Sequence, residues 1–497
     1  MNPDFTICIP IVAATLEEAI RDIEKARTYT DLVELRLDHF DNINPGKLQT
    51  LLAHCKRAIV TCRSPQQGGK IAISDEKQFQ LLTAAIDLKA AYIDIEYNSK
   101  NLPALLPRCK KTRAIVSYHN FEQTPSLNEL QTIYKTIDSQ RPQLVKIVTR
   151  ANSINDCFTI FELLRWKKNL VAFCMGLNGE ISRILAPKYG SRLTFAGLTD
   201  DKTSAPGQID IHQMQTVYRV PKINADTKCI GVIGEYAEHS RSKYLHNPLF
   251  ELHKLNYVFL PFRVAASELA EFLQNFRKFD FWGAAVTIPH KIAIMPYLDD
   301  IDETAHSIGA VNTVLNFNGQ LMGCNTDRTG AMHALKQHCN LDGTRILVLG
   351  AGGATRAILY GLKNEDVRVT VVNRTEAKAR ELAGEYAFDW GNSADLARLI
   401  REHDIIINTT SVGMHPFVDD SPIGASGLEP GKVVMDIVYN PMQTRLIRDA
   451  ETAGCHTITG ENMLIYQAIQ QYILWTGREV DFHEMGDFFY AQAKYSP

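Results

Sequence analysis

Two lysines lie in stretches whose residue types suit ketone chemistry. Lys146 sits in the apolar run Leu144-Val145-Lys146-Ile147-Val148, one such run after Val116-Ser117-Tyr118-His119. A lysine on a buried strand is costly unless it has a partner or a task. An amine that condenses with a ketone creates an electron sink, and an imidazole one strand away can take the proton that the sink acidifies. The amine must be neutral to attack, and burial with neighbouring arginine charge would lower its pKa. Lys291 sits in Val286-Thr287-Ile288-Pro289-His290-Lys291, followed by Gly309-Ala310-Val311-Asn312-Thr313 and Asn325-Thr326-Asp327. On its own that lysine reads as a surface residue. Two lysine-bearing stretches of unrelated surroundings suggest two enzymes in one polypeptide.

The elements that must position Lys146 are short β-rich runs at 6–12, 32–37, 58–62, 91–96, 114–119, 144–148, 170–175 and 193–196. Helix-like stretches such as 15–27, 75–89 and 154–166 separate most of them. Strand and helix alternating in this way predict an α/β chain opening with a (β/α)8 TIM barrel, whose chemistry gathers at the C-terminal ends of the strands. Side chains i and i+2 share a face of a strand. Glu34 and Arg36 therefore point the same way, as do Asp94 and Glu96, and Ser117 and His119. With Arg63 just after its run and Lys146 within one, polar groups from five successive strands converge on one mouth.

At these residues the segment resembles type I 3-dehydroquinate dehydratase. The matching pieces are Val33-Glu34-Leu35-Arg36, Thr61-Cys62-Arg63-Ser64, Asp94-Ile95-Glu96, Ser117-Tyr118-His119, Val145-Lys146-Ile147, Ser182-Arg183 and Ser204-Ala205-Pro206-Gly207-Gln208, in the family's order. The resemblance implies that Lys146 forms a Schiff base and that His119 moves the protons, oriented by Glu96. It implies that Arg183 grips the substrate carboxylate with two hydrogen bonds. Ser204 and Gln208 would hold ring hydroxyls, and Glu34, Arg36 and Arg63 would complete the pocket.

Barrel patterning fades after Tyr218, and 221–228 reads as a linker. A strand-like run, Gly231-Val232-Ile233-Gly234, then leads into a loop with Ser240 and Ser242. Further on, an apolar run at 345–350 ends in Gly350-Ala351-Gly352-Gly353-Ala354, then a helical stretch and a second strand at 367–372. This unit seats a dinucleotide pyrophosphate on a helix N-terminus, although Thr355 stands where the third glycine of the usual motif falls. Asn373-Arg374-Thr375 at the end of the second strand replaces the carboxylate that NAD-binding folds use, and Arg374 would attract a 2′-phosphate. The expected cofactor is NADP(H).

Together these features resemble shikimate dehydrogenase over roughly residues 229–492, with Asn408-Thr409-Thr410-Ser411-Val412-Gly413-Met414, Asp436-Ile437-Val438-Tyr439-Asn440-Pro441 and the segment 460–467 also matching. The resemblance implies that Ser240 and Ser242 bind a carboxylate. Thr287, Lys291, Asn312, Asp327 and Gln467 would surround ring hydroxyls, with Tyr439 nearby. Lys291 and Asp327 would handle the proton as a ketone becomes an alcohol. Thr409, Ser411, Met414 and Gly460 would join the glycine turn around the cofactor. Tyr236 and Lys243 replace two prolines of the family's serine loop, which predicts a more mobile loop here.

The 497 residues fit two or three domains. The expected boundaries are 1–222 for the barrel, 228–330 for a substrate-binding lobe completed by helices at about 462–492, and 331–461 for a Rossmann NADP-binding lobe. A net charge of −3 gives no reason to expect nucleic acid or an anionic membrane as partner. Ten scattered cysteines without a CxxC pair read as thiols in a reducing compartment, with no metal site. No run is long and apolar enough to span a bilayer, no targeting segment is visible at the N-terminus, and the expected location is the cytoplasm. The two resemblances fall in the order of the bifunctional 3-dehydroquinate dehydratase/shikimate dehydrogenase fusion. That implies conversion of 3-dehydroquinate to 3-dehydroshikimate, then NADPH-dependent reduction to shikimate. The alternatives are a quinate-using dehydrogenase with a degradative dehydratase, and an inactive metabolite sensor; a sensor would be expected to lose the lysines or the histidine.

Overall fold

The computed structural model describes residues 5–493. They fall into two compact units, one running to Cys229 and taking in Lys254–Asn275, the other formed by Ile230–His253 and the chain from Phe276 onward. The first unit is built on eight parallel strands: β1 (Thr6–Ile11), β2 (Leu32–Arg36), β3 (Arg57–Thr61), β4 (Tyr92–Glu96), β5 (Arg113–His119), β6 (Leu144–Arg150), β7 (Leu170–Met175) and β8 (Leu193–Phe195). Their order is β7-β6-β5-β4-β3-β2-β1-β8. Arg192 N–H, at the start of β8, donates to Leu170 O of β7 at 3.3 Å, which draws the two ends together into a barrel.

The strands read as near-continuous apolar runs because both faces are covered, as parallel sheets require. Cys8, Leu32, Ile59, Ile115, Val171 and Leu193 fill the lower barrel interior. Above them the alternating inward positions turn polar. The register sets Glu96 beside Ser117 and Ser117 beside Lys146, so these side chains arrive at one level. Helix starts are marked locally: Thr15, Asn44, Ser74 and Ser126 each accept a hydrogen bond from a first-turn amide, and Ser126 with Glu129 closes a reciprocal cap.

The expected linker at 221–228 is not a loose tether. Val220 and Ile223 are buried, and Lys188 Nζ donates to Ala225 O at 2.8 Å and Thr227 O at 2.7 Å. Two apolar side chains and a lysine clamp hold this stretch against the barrel. Strand β10 (Tyr257–Arg263) also clusters with the first unit.

The second unit holds two sheets. In the first, β9 (Lys228–Gly234) runs parallel to β11 (Gly283–Val286). β11 pairs antiparallel with β13 (Thr313–Phe317), and β13 with β14 (Gln320–Cys324); β12 (Asp300–Ile301) lies parallel to β14. Asn318 and Gly319 close the β13–β14 hairpin with positive φ angles of 55° and 90°, the two-residue turn that Asn-Gly favours. The other sheet is all parallel: β15 (Thr344–Leu349), β16 (Val367–Val372), β17 (Asp389–Trp390), β18 (Ile405–Asn408), β19 (Val433–Asp436) and β20 (His456–Ile458), in the order β17-β16-β15-β18-β19-β20. The order reverses between β15 and β18, the place where doubly wound sheets bind nucleotides.

The helix Gly460–Thr476 returns to the mixed sheet, where Trp475 Nε1 donates to Val314 O at 3.1 Å and Gln471 Nε2 to Thr313 Oγ1 at 3.0 Å. It starts hard against the chain after β19. A Cβ on Gly460 would lie 2.5 Å from Val438 O and 2.7 Å from Ile437 O. Among the described residues no helix is long and apolar enough to cross a membrane.

Gly460→Val should therefore destabilise the second unit by about 1–3 kcal/mol or more, because backbone rather than a side-chain tip must move. Denaturant titration followed through Trp282 and Trp475 fluorescence should show an earlier midpoint. An unchanged midpoint would mean that the helix start shifts freely.

Candidate active sites

Lys146 is 4 % exposed and sits at the barrel's centre. Its Nζ donates to Asp94 Oδ2 at 3.1 Å, lies 3.7 Å from Glu34 Oε1, and stands 4.3 Å over the Phe195 ring. Asp94 also accepts from Ser117 Oγ at 2.6 Å and pairs with Arg63 Nη2 at 2.9 Å. Burial alone would raise the Asp94 carboxyl, but Arg63 and then Lys146 hold it well below the usual carboxylate range. Asp94 thus stays ionised and fixes the amine in place. Glu34 is held in turn by Thr61 Oγ1 at 2.8 Å, and Arg36 is committed bidentately to Asp38 at 3.0 and 2.7 Å.

His119 faces the same cavity as Lys146, Glu34, Arg36, Arg63, Arg183, Ser204 and Gln208. Burial, reinforced by the charges of Arg63 and Lys146, pushes its imidazole well below the ordinary value. The imidazole is therefore neutral at pH 7. The expected contact with Glu96 is not formed. Glu96 oxygens accept from Ser64 N at 2.7 Å and Ser64 Oγ at 2.8 Å, so that carboxylate pins the loop after β3. Gln67 takes its place: Gln67 Oε1 lies 3.2 Å from His119 Nδ1, while Gln67 Nε2 donates to Asn98 Oδ1 at 3.0 Å. With the amide oriented by Asn98, Nδ1 carries the imidazole proton and Nε2 is left free to act as base. Gln67 was not among the expected site residues, and Asp94 was placed among the converging polar groups without a role of its own. Gln67 has no titratable group to give it away, whereas Asp94 was legible from its shared face with Glu96.

Arg183 comes from the short helix Glu180–Ile184 and is 1 % exposed. Its Nε and Nη2 are buried without a hydrogen-bond partner, it lies 4.4 Å over Phe173, and burial pushes it down to about 10. A buried guanidinium with idle donors on a cavity wall calls for an anion. Gln208 Nε2 is likewise buried and unpaired, while Gln208 Oε1 accepts from Ser204 N at 2.8 Å.

The second site runs as a chain. Lys291 Nζ donates to Asp327 Oδ2; Asn312 Nδ2 donates to Asp327 Oδ1 at 2.8 Å, to Thr326 Oγ1 at 2.9 Å and more weakly to Gln467 Oε1 at 3.4 Å. The start of β13, the helix Asp327–His338 and the helix Gly460–Thr476 thereby meet near Lys291. A separate cluster joins Ser240, Ser242 and Tyr439: Ser240 Oγ donates to Ser242 Oγ at 3.2 Å, and burial raises the Tyr439 phenol against a hydrogen bond to Ser240. Thr287 packs against Gly234 and makes no side-chain hydrogen bond among the described residues. Within the serine loop Lys243 Nζ donates to Glu238 O at 3.2 Å.

The glycine turn between β15 and the helix Gly353–Leu362 presses on this chain. A Cβ on Gly353 would lie 2.9 Å from Lys291 Cβ, which puts the helix N-terminus beside the lysine. Gly350 adopts φ +122° against Thr409, and the space above Gly352 is open. Thr355, the departure from the third glycine, is fully buried; its hydroxyl accepts from Gly352 N–H at 3.0 Å and meets Thr409 Oγ1 at 2.7 Å. Thr409 also donates to Leu349 O, so its side chain braces the turn from behind. Ala351 and Ala354 flank the turn, Gly460 lies under the chain after β19, and Ser411 and Met414 follow β18. Asn373 Nδ2 donates to Thr375 O, and Arg374 is exposed at the end of β16 with no ion pair among the described residues. Open space at a helix N-terminus and a free cation one strand away fit a dinucleotide with an extra phosphate. Among the described residues no three His, Cys, Asp or Glu side chains gather as a metal site.

A barrel with an amine and imidazole at its mouth, followed by a doubly wound unit with a lysine against its glycine turn, defines a lyase-type site joined to an oxidoreductase-type site. Comparison with known proteins agrees. The profile of type I 3-dehydroquinase matches residues 7–225, that of the shikimate dehydrogenase substrate binding domain 232–314, and that of shikimate/quinate 5-dehydrogenase 332–438. A bifunctional 3-dehydroquinate dehydratase/shikimate dehydrogenase, chloroplastic, from Arabidopsis thaliana is 35% identical over 96% of this chain and 82% of its own. A shikimate dehydrogenase (NADP(+)) from Methanothermobacter thermautotrophicus is 39% identical over 53% of this chain and 96% of its own. A solved shikimate dehydrogenase in complex with NADP+ superposes with a TM-score of 0.51 at 38% identity, over 55% of this chain and 97% of that one. The chain belongs to the bifunctional 3-dehydroquinate dehydratase/shikimate dehydrogenase family.

Gln67→Glu should raise the His119 pKa by about 1 unit or more, since a carboxylate would replace a neutral amide on Nδ1. The base must be unprotonated, so the acid limb of kcat/KM for dehydration should move to higher pH. An acid limb that stays in place would remove Gln67 from the control of His119.

Proposed function

We propose that the chain dehydrates 3-dehydroquinate to 3-dehydroshikimate and reduces that ketone to shikimate with NADPH. The observation that carries the reading is the barrel cavity, where a buried amine, a neutral imidazole and an unpartnered guanidinium face one another. Arg183 takes the substrate carboxylate, and Gln208 and Ser204 take ring hydroxyls. His119 takes a proton from the Lys146 ammonium, the freed Nζ attacks the ketone carbon, and the carbinolamine hydroxyl leaves as water with that proton returned by His119, which leaves an iminium. His119 Nε2 removes the proton alpha to it, and the electron pair moves into the iminium to give an enamine. The enamine then expels the ring hydroxyl, which leaves as water with the proton returned by His119. Hydrolysis of the conjugated iminium frees Lys146. Asp94, held ionised by Arg63, keeps the amine at one place through the cycle.

In the second unit Ser240, Ser242 and Tyr439 form the carboxylate seat, and Lys291, Asn312, Asp327 and Gln467 face the ring. The turn at Gly350–Gly353 and Arg374 would hold NADP(H), which when bound supplies hydride to the ketone carbon. Lys291 gives its proton to the oxygen as the alkoxide forms, and Asp327 keeps the ammonium aimed. The working lobes are taken as 1–222, then 228–330 completed by 462–492, and 331–461. No metal and no macromolecular partner enters the scheme. A cytoplasmic site of action rests on ten free cysteines and is kept apart from the chloroplastic name of the Arabidopsis relative.

Purified chain given 3-dehydroquinate and NADPH should produce shikimate. Lys291→Ala should stop the sequence at 3-dehydroshikimate, with reduction slowed by about 10²–10⁴ and dehydration intact. Equal loss of both steps would contradict two independent sites. Higher kcat/KM for quinate than for shikimate would replace the substrate assignment of the second site.

A further inference from the structure

The N-terminal end of the barrel holds a second opening, on the face opposite the chemistry. It is a depression of about 530 Å³ whose wall carries Arg57, Arg113, Lys168 and Arg192 and no carboxylate. Two of these cations belong to the barrel's own layering. Arg57 shares the inward face of β3 with Ile59, and Arg113 that of β5 with Ile115. Inward positions at the end of a barrel are ordinarily filled by branched apolar side chains. Here two guanidiniums take them.

The charge is only partly engaged. Arg113 Nη1 donates to Tyr92 Oη at 3.1 Å and its guanidinium lies 5.7 Å over that ring, which aims it. The Arg57 guanidinium and the Lys168 ammonium make no hydrogen bond or ion pair among the described residues, and both are exposed. Asp31 is ion-paired with Lys56 at 2.7 Å, whereas Asp138 Oδ1 accepts from the neutral Asn169 amide at 2.9 Å, which orients that carboxylate without cancelling its charge. Like charges collected around a concave, partly apolar wall focus a positive potential. Guanidiniums match the oxygens of phosphate and carboxylate with paired donors.

We propose that this opening is a second ligand site, separate from either catalytic centre, for a small oxyanion carrying two or more negative charges. The apolar layer of Cys8, Leu32, Ile59, Ile115 and Leu193 closes it from the Lys146 cavity above, so the ligand does not share space with substrate. Isothermal titration with inorganic pyrophosphate tests this, with NADPH and shikimate, a pair that cannot react with each other, kept saturating to fill the second unit. The expected result is saturable one-to-one binding that weakens at least tenfold in the Arg57→Gln/Arg113→Gln double variant and at least threefold in Lys168→Gln, with both turnover rates unchanged. Lys168 is exposed and outside the strands, so its variant keeps the test valid if the double variant folds poorly. Competition by citrate would mark a general oxyanion site, and its failure a phosphate-selective one; either supports the proposal. No saturable binding, or equal affinity in wild type and Lys168→Gln, would overturn it and leave the four cations as solvated stems capping the barrel.

Discussion

Asp94 is the point on which the first site turns. Its side chain has no exposure and joins a serine hydroxyl, a guanidinium and the amine of Lys146. Removing one partner of a buried ion pair typically costs 3–5 kcal/mol, because the charge left behind has no solvent. Neither Arg63 nor Lys146 is therefore free to wander, and the cavity is built around fixed charges before any ligand enters. The same group acts on His119. Arg63 and Lys146, gathered by Asp94, help burial to keep the imidazole neutral. Pre-set charges of this kind need no reorganisation when the reaction moves charge.

The second unit reaches a related end by other means. Lys291 is held by Asp327, and Asp327 by Asn312, each on a different element. The close approach of Gly353 to Lys291 couples this chain to the nucleotide turn. A side chain at position 353 would push the turn and the lysine apart, so their separation depends on one missing Cβ.

Much of this was legible in the residue order. All eight barrel strands fall at the expected places because apolar runs with helix-like intervals leave little choice. The inward polar set followed from alternation along each strand. Thr355 and Lys243 were seen as departures, but their compensations are hydrogen bonds to Gly352 N–H and Glu238 O, which no spacing rule reveals. The hardest to foresee was Gln67. It sits in a loop closed by Gly68 at φ +86°, and its bond to His119 spans 52 residues. Glu96 looked like the natural partner because it is a carboxylate on the adjacent strand. The loop after β3 claims that carboxylate first, through both the amide and the hydroxyl of Ser64.

The account's central claim is that the Lys146 nitrogen becomes covalently joined to the substrate carbon. Borohydride reduction during turnover of 3-dehydroquinate, followed by peptide mass spectrometry, tests it most directly. The account predicts a single reduced adduct on Lys146, absent in Lys146→Ala. An adduct on another lysine, or steady dehydration with nothing trapped, would contradict it.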